Sequence, residues 1–193
     1  MQVFKEAGIP ADRELVAGLI GSDGRHLAHT VSNAAGRTLD HTSAEHIDRR
    51  AGEIYSRLNR DPKPLDGASE LLRTLDKLRL PWAIATSSRR EQVDVSIAAL
   101  KLSSRPTIID ASQVEHAKPA PDLLLVAAQR LGIPPAQGCY VGDAIWDMRA
   151  AKAAGMPAIG VTTGSTGAAA LLVAGAQFAV ASLADLRPYL PVE

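Results

Sequence analysis

The chain is predicted to fold as an α/β protein, with a doubly wound parallel sheet following a small all-helical part. Two observations carry that prediction. From residue 68 onward, amphipathic stretches of helical period alternate with short apolar runs. That βαβα order gives a parallel sheet with helices on both faces. Before it, residues 1 to 60 hold no strand-like run, and their apolar residues recur three and four positions apart, the spacing of amphipathic helices.

In the helical part, Leu15, Leu19 and Ile20 share one helical face, as do Leu27 and Val31. Thr42-Ser43-Ala44-Glu45 reads as a capping box that opens a helix through Ile47, Ile54, Tyr55 and Leu58. The segment from Asp61 to Gly67 interrupts helical character with Pro62, Pro64 and Gly67. This joint divides the chain into residues 1–62 and 63–193. Beyond it, Leu71, Leu72, Leu75 and Leu78 line one face of a helix over 68–80, and Trp82 to Thr86 is a short strand. A helix over 91–100, a strand over 107–110 and a helix over 121–131 follow, the last with Pro121 in its first turn and Gly132 at its end. Gly138 to Val141 is a strand, 147–155 a helix, Ala158 to Val161 a strand, and Gln177 to Val180 a further strand.

Composition narrows the function. The 193 residues are 46% apolar and 22% charged, and 21 basic residues balance 21 acidic ones. A neutral chain of this kind lacks the electrostatic footprint of a nucleic-acid or anionic-membrane binder. No nucleic-acid or membrane partner is expected. The start MQVFKEAGIP does not read as a signal peptide, and no apolar run approaches the length that spans a bilayer. A cytoplasmic protein is the expectation. Cys139 is the single cysteine; it excludes an internal disulfide, and its place in a strand-like run predicts a buried small hydrophobe.

In a parallel sheet, ligands bind beyond the carboxyl ends of the strands, and three of those ends carry polar chemistry. Thr86-Ser87-Ser88-Arg89-Arg90 sets hydroxyls and guanidinium groups where a helix begins, a place suited to an anion such as phosphate. Ser87 or Ser88 could equally be a plain helix cap. Lys118, in HAKPAPD, lies between a strand and a proline-started helix, where it can neutralise negative charge or simply be exposed. In YVGDAIWDMRAAKAAGM, Asp143 and Asp147 stand one helical turn apart after a strand. Such carboxylates suit a hard cation such as Mg²⁺, or they are first-turn acids at the positive end of a helix.

The order ATSS, HAKPAPD, YVGDAIWDMRAAKAAGM resembles the second, third and fourth motifs of the haloacid dehalogenase-like hydrolases. The likeness extends through PAIGVTTG and the tail LLVAGAQFAVASLADL. FKEAGIP and LIGSDGRHLAHTV resemble cap segments of the phosphoglycolate phosphatase-like and β-phosphoglucomutase-like members. The resemblance implies a Rossmann-like core with a helical cap and a Mg²⁺-dependent phosphatase acting on a small phosphorylated metabolite. It implies that Thr86 and Lys118 hold the transferring phosphoryl group, that Asp143 binds the metal and that Asp147 orients the metal site. Ser87, Ser88 and Arg89 fall where relatives contact substrate, and Arg25 is the nearby cap cation nominated for the same task.

One motif of that family is not in the sequence. Its nucleophilic and acid–base aspartates stand in a first motif of the form DxDGT, and no Asp-x-Asp occurs among the 193 residues. The same resemblance places that motif's strand at the centre of the sheet, between the strands that end at Thr86 and Val141. Without it, two strand edges face each other across a gap. Buried backbone groups left unpaired there would cost roughly 1–3 kcal/mol each. The expectation is that a preceding stretch carrying this strand belongs to the functional protein, and that hydrolysis by the chain alone is impaired. A non-catalytic binding relative is the alternative, with self-association through the open edge a further expectation. Asp143 favours a phosphatase over a metal-free dehalogenase, because a dianionic substrate needs cationic compensation. A sugar-phosphate mutase would share every motif present.

Overall fold

The computed structural model describes residues 1–191. Four helices come first: α1 (Gln2–Glu6), α2 (Arg13–Gly18), α3 (Gly24–Ala34) and α4 (His41–Leu58). Their apolar faces meet in one cluster centred on Phe4, Ala28, Val31, Ala44 and Ile47. Aspartates start three of these helices. Asp12, Asp23 and Asp40 each accept a backbone N–H from the first turn that follows, satisfying donors that have no partner inside the helix. The capping box expected at Thr42 is therefore displaced: α4 begins at His41, and its cap is Asp40, which accepts from Ser43 N at 2.6 Å. The face expected to run to Tyr55 and Leu58 ends earlier, since both are exposed.

The α/β part follows as α5 (Ala68–Lys77), β1 (Ala83–Ala85), α6 (Arg90–Ala99), β2 (Thr107–Ile109), α7 (Asp122–Leu131), β3 (Tyr140–Gly142), α8 (Ile145–Ala153), β4 (Ala158–Val161), α9 (Ala168–Ala174) and β5 (Phe178–Val180). All strand pairs are parallel, as the alternating pattern predicts. Helix α9 was not foreseen; its run of alanines and leucines has no polar face to give it a period. Cys139 is exposed rather than buried, because the strand begins one residue after it.

The sheet is divided. β1 pairs only with β2, and β3, β4 and β5 form a separate ladder. The two pieces share one apolar cluster, in which Ile109, Leu123, Leu124, Met148, Ala151 and Leu171 are buried and Ala83, Ala85 and Tyr140 pack against the edge. Helices α7 and α8 thus hold two half-sheets side by side without a hydrogen-bonded strand between them. The bundle joins the same assembly through the start of α8: Ala144, Ile145 and Trp146 belong to the bundle's apolar cluster, and Trp146 Nε1 donates to Gly18 O at 2.9 Å.

Candidate active site

Three loops at the carboxyl ends of β1, β2 and β3 converge. The first continues β1. Thr86 N donates to Ile109 O at 2.9 Å, which extends the ladder by one residue and fixes Thr86 at the sheet's edge. Thr86 Oγ1 then accepts from Ser88 N at 3.1 Å, so the loop turns around its own hydroxyl. The Ser87 hydroxyl is buried and has no partner among the described residues.

The second loop delivers Lys118, which is 7% exposed. Its ammonium donates to Asp147 Oδ1 at 2.7 Å and to Tyr140 Oη at 3.3 Å. Burial pulls this ammonium's pKa down, but the Tyr140 and Asp147 oxygens outweigh burial and hold it above the ordinary lysine value. A buried ammonium without such partners would lose its proton instead.

The third loop carries both aspartates, and they do different work. Asp147 is buried, and both of its oxygens are engaged. Oδ1 takes Lys118 and, at 3.1 Å, Tyr140 Oη, while Oδ2 accepts from Asp143 N at 3.1 Å and Ala144 N at 3.0 Å. It therefore shapes the loop that holds Asp143. Gly142 permits this, because a Cβ there would lie 2.5 Å from the Asp147 side chain. Asp143 stands beside Gly164, where a Cβ would meet Oδ2 at 2.5 Å. Burial, then the nearby Asp147 charge, pushes the Asp143 carboxyl above its ordinary value. Its oxygens accept no side-chain hydrogen bond among the described residues. A half-buried carboxylate raised by its surroundings and lacking a paired cation fits a hard divalent ion that would relieve both effects. Asp147, with its oxygens taken, fits the orienting part. No cluster of three or more His, Cys, Asp or Glu side chains stands ready for a metal among the described residues.

Between these loops and the bundle lies a cavity of about 180 Å³. Thr86, Ser87, Ser88, Gln92 and Lys118 line it from the α/β side, and Gly21, Ser22, Gly24 and Asp48 from the bundle. A larger groove of about 490 Å³ runs between α4 and α6 past Arg49, Arg57 and Arg89. Neither Thr86 nor Lys118 lines it, and Asp143 and Asp147 line neither space. Arg89 and Arg25 do not line the cavity. Arg89 reaches to Glu45 and, at 3.4 Å, to Asp48 on α4, and Arg25 folds back on Asp23 at 3.1 Å. Two residues of the site were not nominated from sequence. Asp48 brings a carboxyl to the cavity, raised chiefly by burial. Tyr140 joins Lys118 and Asp147. Asp48 lies far along the chain from every motif, and Tyr140 reads from sequence as an ordinary strand residue, so neither carries a local signal.

Known proteins share these elements. Residues 1–161 match the sequence profile of the haloacid dehalogenase-like hydrolases. The chain is 30% identical over 166 residues to validoxylamine A 7'-phosphate phosphatase of Streptomyces hygroscopicus subsp. limoneus, covering 84% of this chain and 75% of that protein. It is 34% identical over 123 residues to phosphoglycolate phosphatase of Escherichia coli, covering 63% of this chain and 49% of that one. Its fold superposes on a hydrolase from Pseudomonas syringae with a TM-score of 0.91 at 32% identity, covering 97% of this chain and 86% of that one. The β-phosphoglucomutase of Clostridium difficile, at 19% identity, shares the fold with a TM-score of 0.80, over 96% of this chain and 82% of its own. With the three loops converging as described and more than half of the chain matched, the protein belongs to the haloacid dehalogenase-like hydrolase family.

Proposed function

We propose that this chain carries the phosphate- and metal-holding part of a phosphomonoester hydrolase acting on a small phosphorylated metabolite, with residues 1–62 as the cap and 63–193 as the core. The observation that carries this reading is the buried Lys118, held charged by Asp147 and Tyr140 at the wall of a polar cavity. A lysine ammonium has three protons, and two are committed to those oxygens, so the third is free for an anion on the cavity side. Thr86 and the Ser87 hydroxyl supply neutral donors beside it. Asp143 would hold Mg²⁺, which supplies charge neutralisation for a phosphate dianion when bound. Asp147 keeps Asp143 in place through its backbone N–H.

Sequence and cavity together also bear on turnover. No Asp-x-Asp is present, and the carboxyl that lines the cavity, Asp48, faces the Arg89 guanidinium. The reading is therefore of a binding half-site with impaired hydrolysis in the isolated chain. The test is Mg²⁺-dependent hydrolysis of para-nitrophenyl phosphate beside an Asp143→Asn control, with near-UV circular dichroism confirming that both are folded. The expected result is little or no turnover by either, with inorganic phosphate binding that Mg²⁺ strengthens in the parent and not in Asp143→Asn. Full turnover that vanishes in the control would mean that another carboxylate attacks. Folded protein that binds neither Mg²⁺ nor phosphate would sink the phosphatase assignment.

A further inference from the structure

The cavity between the loops and the bundle has walls of opposite charge. On the α/β side stands the Lys118 ammonium, 7% exposed, with one proton not committed to Asp147 or Tyr140. On the bundle side stands the carboxyl of Asp48. The rest of the lining is hydroxyl, amide and glycine, and among the described residues it holds no aliphatic or aromatic side chain.

Asp48 is carried to this wall by the packing of α3 on α4. Position 24, at the start of α3, is glycine, and a Cβ there would lie 1.8 Å from Asp48 Oδ1. The carboxyl takes the room that a side chain would fill. Its Oδ2 meets Arg89 at 3.4 Å, long for a hydrogen bond, and Arg89 also serves Glu45. Oδ1 accepts no hydrogen bond among the described residues. Arg25 is paired with Asp23. Three carboxylates at this wall therefore share two guanidinium groups. Burial, opposed by Arg89 and joined by the charges of Asp23 and Glu45, raises the Asp48 carboxyl above its ordinary value. The bundle wall is short of one positive charge.

We propose that this cavity takes a phosphomonoester whose alcohol carries an ammonium group, and that Asp48 is the residue that selects it. The inference rests on the phosphate-holding reading above and names the substrate class of that same site. A zwitterion matches both walls. Its phosphate meets Lys118 and the Thr86 loop, and its ammonium meets Asp48 Oδ1 in a charge-assisted hydrogen bond. A neutral hydroxyl would leave the wall's charge uncompensated. A carboxylate at the far end would face Asp48 with only the shared Arg89 to offset the repulsion, which rejects such a ligand. The volume of about 180 Å³ lies below the ~300 Å³ at which pockets for drug-sized ligands begin. The amine therefore stands within a few bonds of the ester oxygen.

The experiment measures binding by isothermal titration calorimetry of the 193-residue chain in the presence of Mg²⁺, so it does not depend on turnover. The probes are inorganic phosphate, O-phosphoethanolamine, propyl phosphate and phosphoglycolate. The three esters are similar in length and differ in the charge at the far end. O-phosphoethanolamine should bind about tenfold more tightly than propyl phosphate, as one charge-assisted contact implies, with phosphoglycolate the weakest. In Asp48→Asn the advantage over propyl phosphate should disappear. Gly24→Ala, which keeps the charge and displaces the carboxyl, should reduce it too, with near-UV circular dichroism confirming that both variants are folded. The order of the esters on the parent decides the substrate class even where a variant fails to fold. Equal binding of the three by a parent that binds inorganic phosphate would overturn the class and leave the hydrolase reading standing. A preference that survives in Asp48→Asn would overturn the role of Asp48. Folded parent that binds no inorganic phosphate would remove the hydrolase reading, and this inference with it.

Discussion

Around β4, Met148, Ala150, Ala151 and Leu171 are all fully buried, while β1 itself, α6 and the leucines of α5 contribute no buried apolar side chain, and the cover of β1 comes from Leu123 and Leu124 of α7. The difference does not come from weaker patterning. Helix α5 has its leucines on one stripe as clearly as any helix in the chain, whereas α8 shows little amphipathic period and is deeply buried. An apolar stripe stabilises a fold only through what covers it. β4 has a paired strand on each side and α8 and α9 against it, whereas β1 has one paired neighbour and α7 against it. Amphipathicity states where a face wants to be; the neighbouring layer decides whether it gets there.

This contrast can be broken in four ways, from the largest expected effect to the smallest. The Lys118–Asp147 pair ties the β1–β2 half to the β3–β5 half. Lys118→Met leaves a buried carboxylate without its cation, and should cost about 3–5 kcal/mol in urea unfolding. A loss below about 1 kcal/mol would mean that the halves do not depend on this link. Next, Met148→Ala should destabilise by about 2–5 kcal/mol. Leu72→Ala, already half in water, should cost about 1 kcal/mol. Equal losses would remove the contrast between the two halves.

The third test is electrostatic. The Asp143 carboxyl is raised above its ordinary value by burial and by Asp147, so the folded protein binds that proton more tightly than the unfolded chain does. Its contribution to stability is complete below the unfolded carboxylate value of 3.8 and is lost as pH rises through the raised value. Asp143→Asn should therefore be more stable than the parent at pH 7, with the gap closing toward pH 3.5 in thermal melts. Saturating Mg²⁺ should narrow the gap at pH 7 by stabilising only the parent. A destabilised Asp143→Asn at pH 7 would contradict the burial argument. The smallest effect is at the seam with the bundle, where Arg89 meets Glu45 and Asp48 half in solvent. Arg89→Gln should cost about 0.2–1 kcal/mol, fading in 0.5 M salt because exposed pairs are screened, as about a 3 Å Debye length at 1 M implies.

Much of this was legible in the residues. The order of helices and strands apart from α9, and the polar strand ends, follow from local period and from proline and glycine placement, whereas the split beside β1 was expected from the family resemblance. Thr86 and Asp143 were nominated because each follows the end of a strand, and Lys118 because it lies between a strand and a proline-started helix, where a parallel sheet exposes its loops. The misreadings were local choices with two acceptable answers. Asp40 and Thr42 are both good caps, and the helix took the one whose carboxylate reaches Ser43 N. Cys139 suits a strand or its approach equally, and its exposure followed from a start one residue later.

By itself, then, the sequence determined most of the secondary elements, α9 excepted, their alternation and which side of the sheet would carry polar chemistry, because those depend on periodicity and on the direction of a parallel strand. Only the tertiary structure decided that Asp147 gives all its oxygens to Lys118, Tyr140 and two backbone amides while Asp143 keeps its own, that Asp48 enters the cavity, and that Arg89 turns to α4. These outcomes depend on distances between residues far apart in the chain. Competition among buried charges for a few partners is resolved only when those residues are packed together.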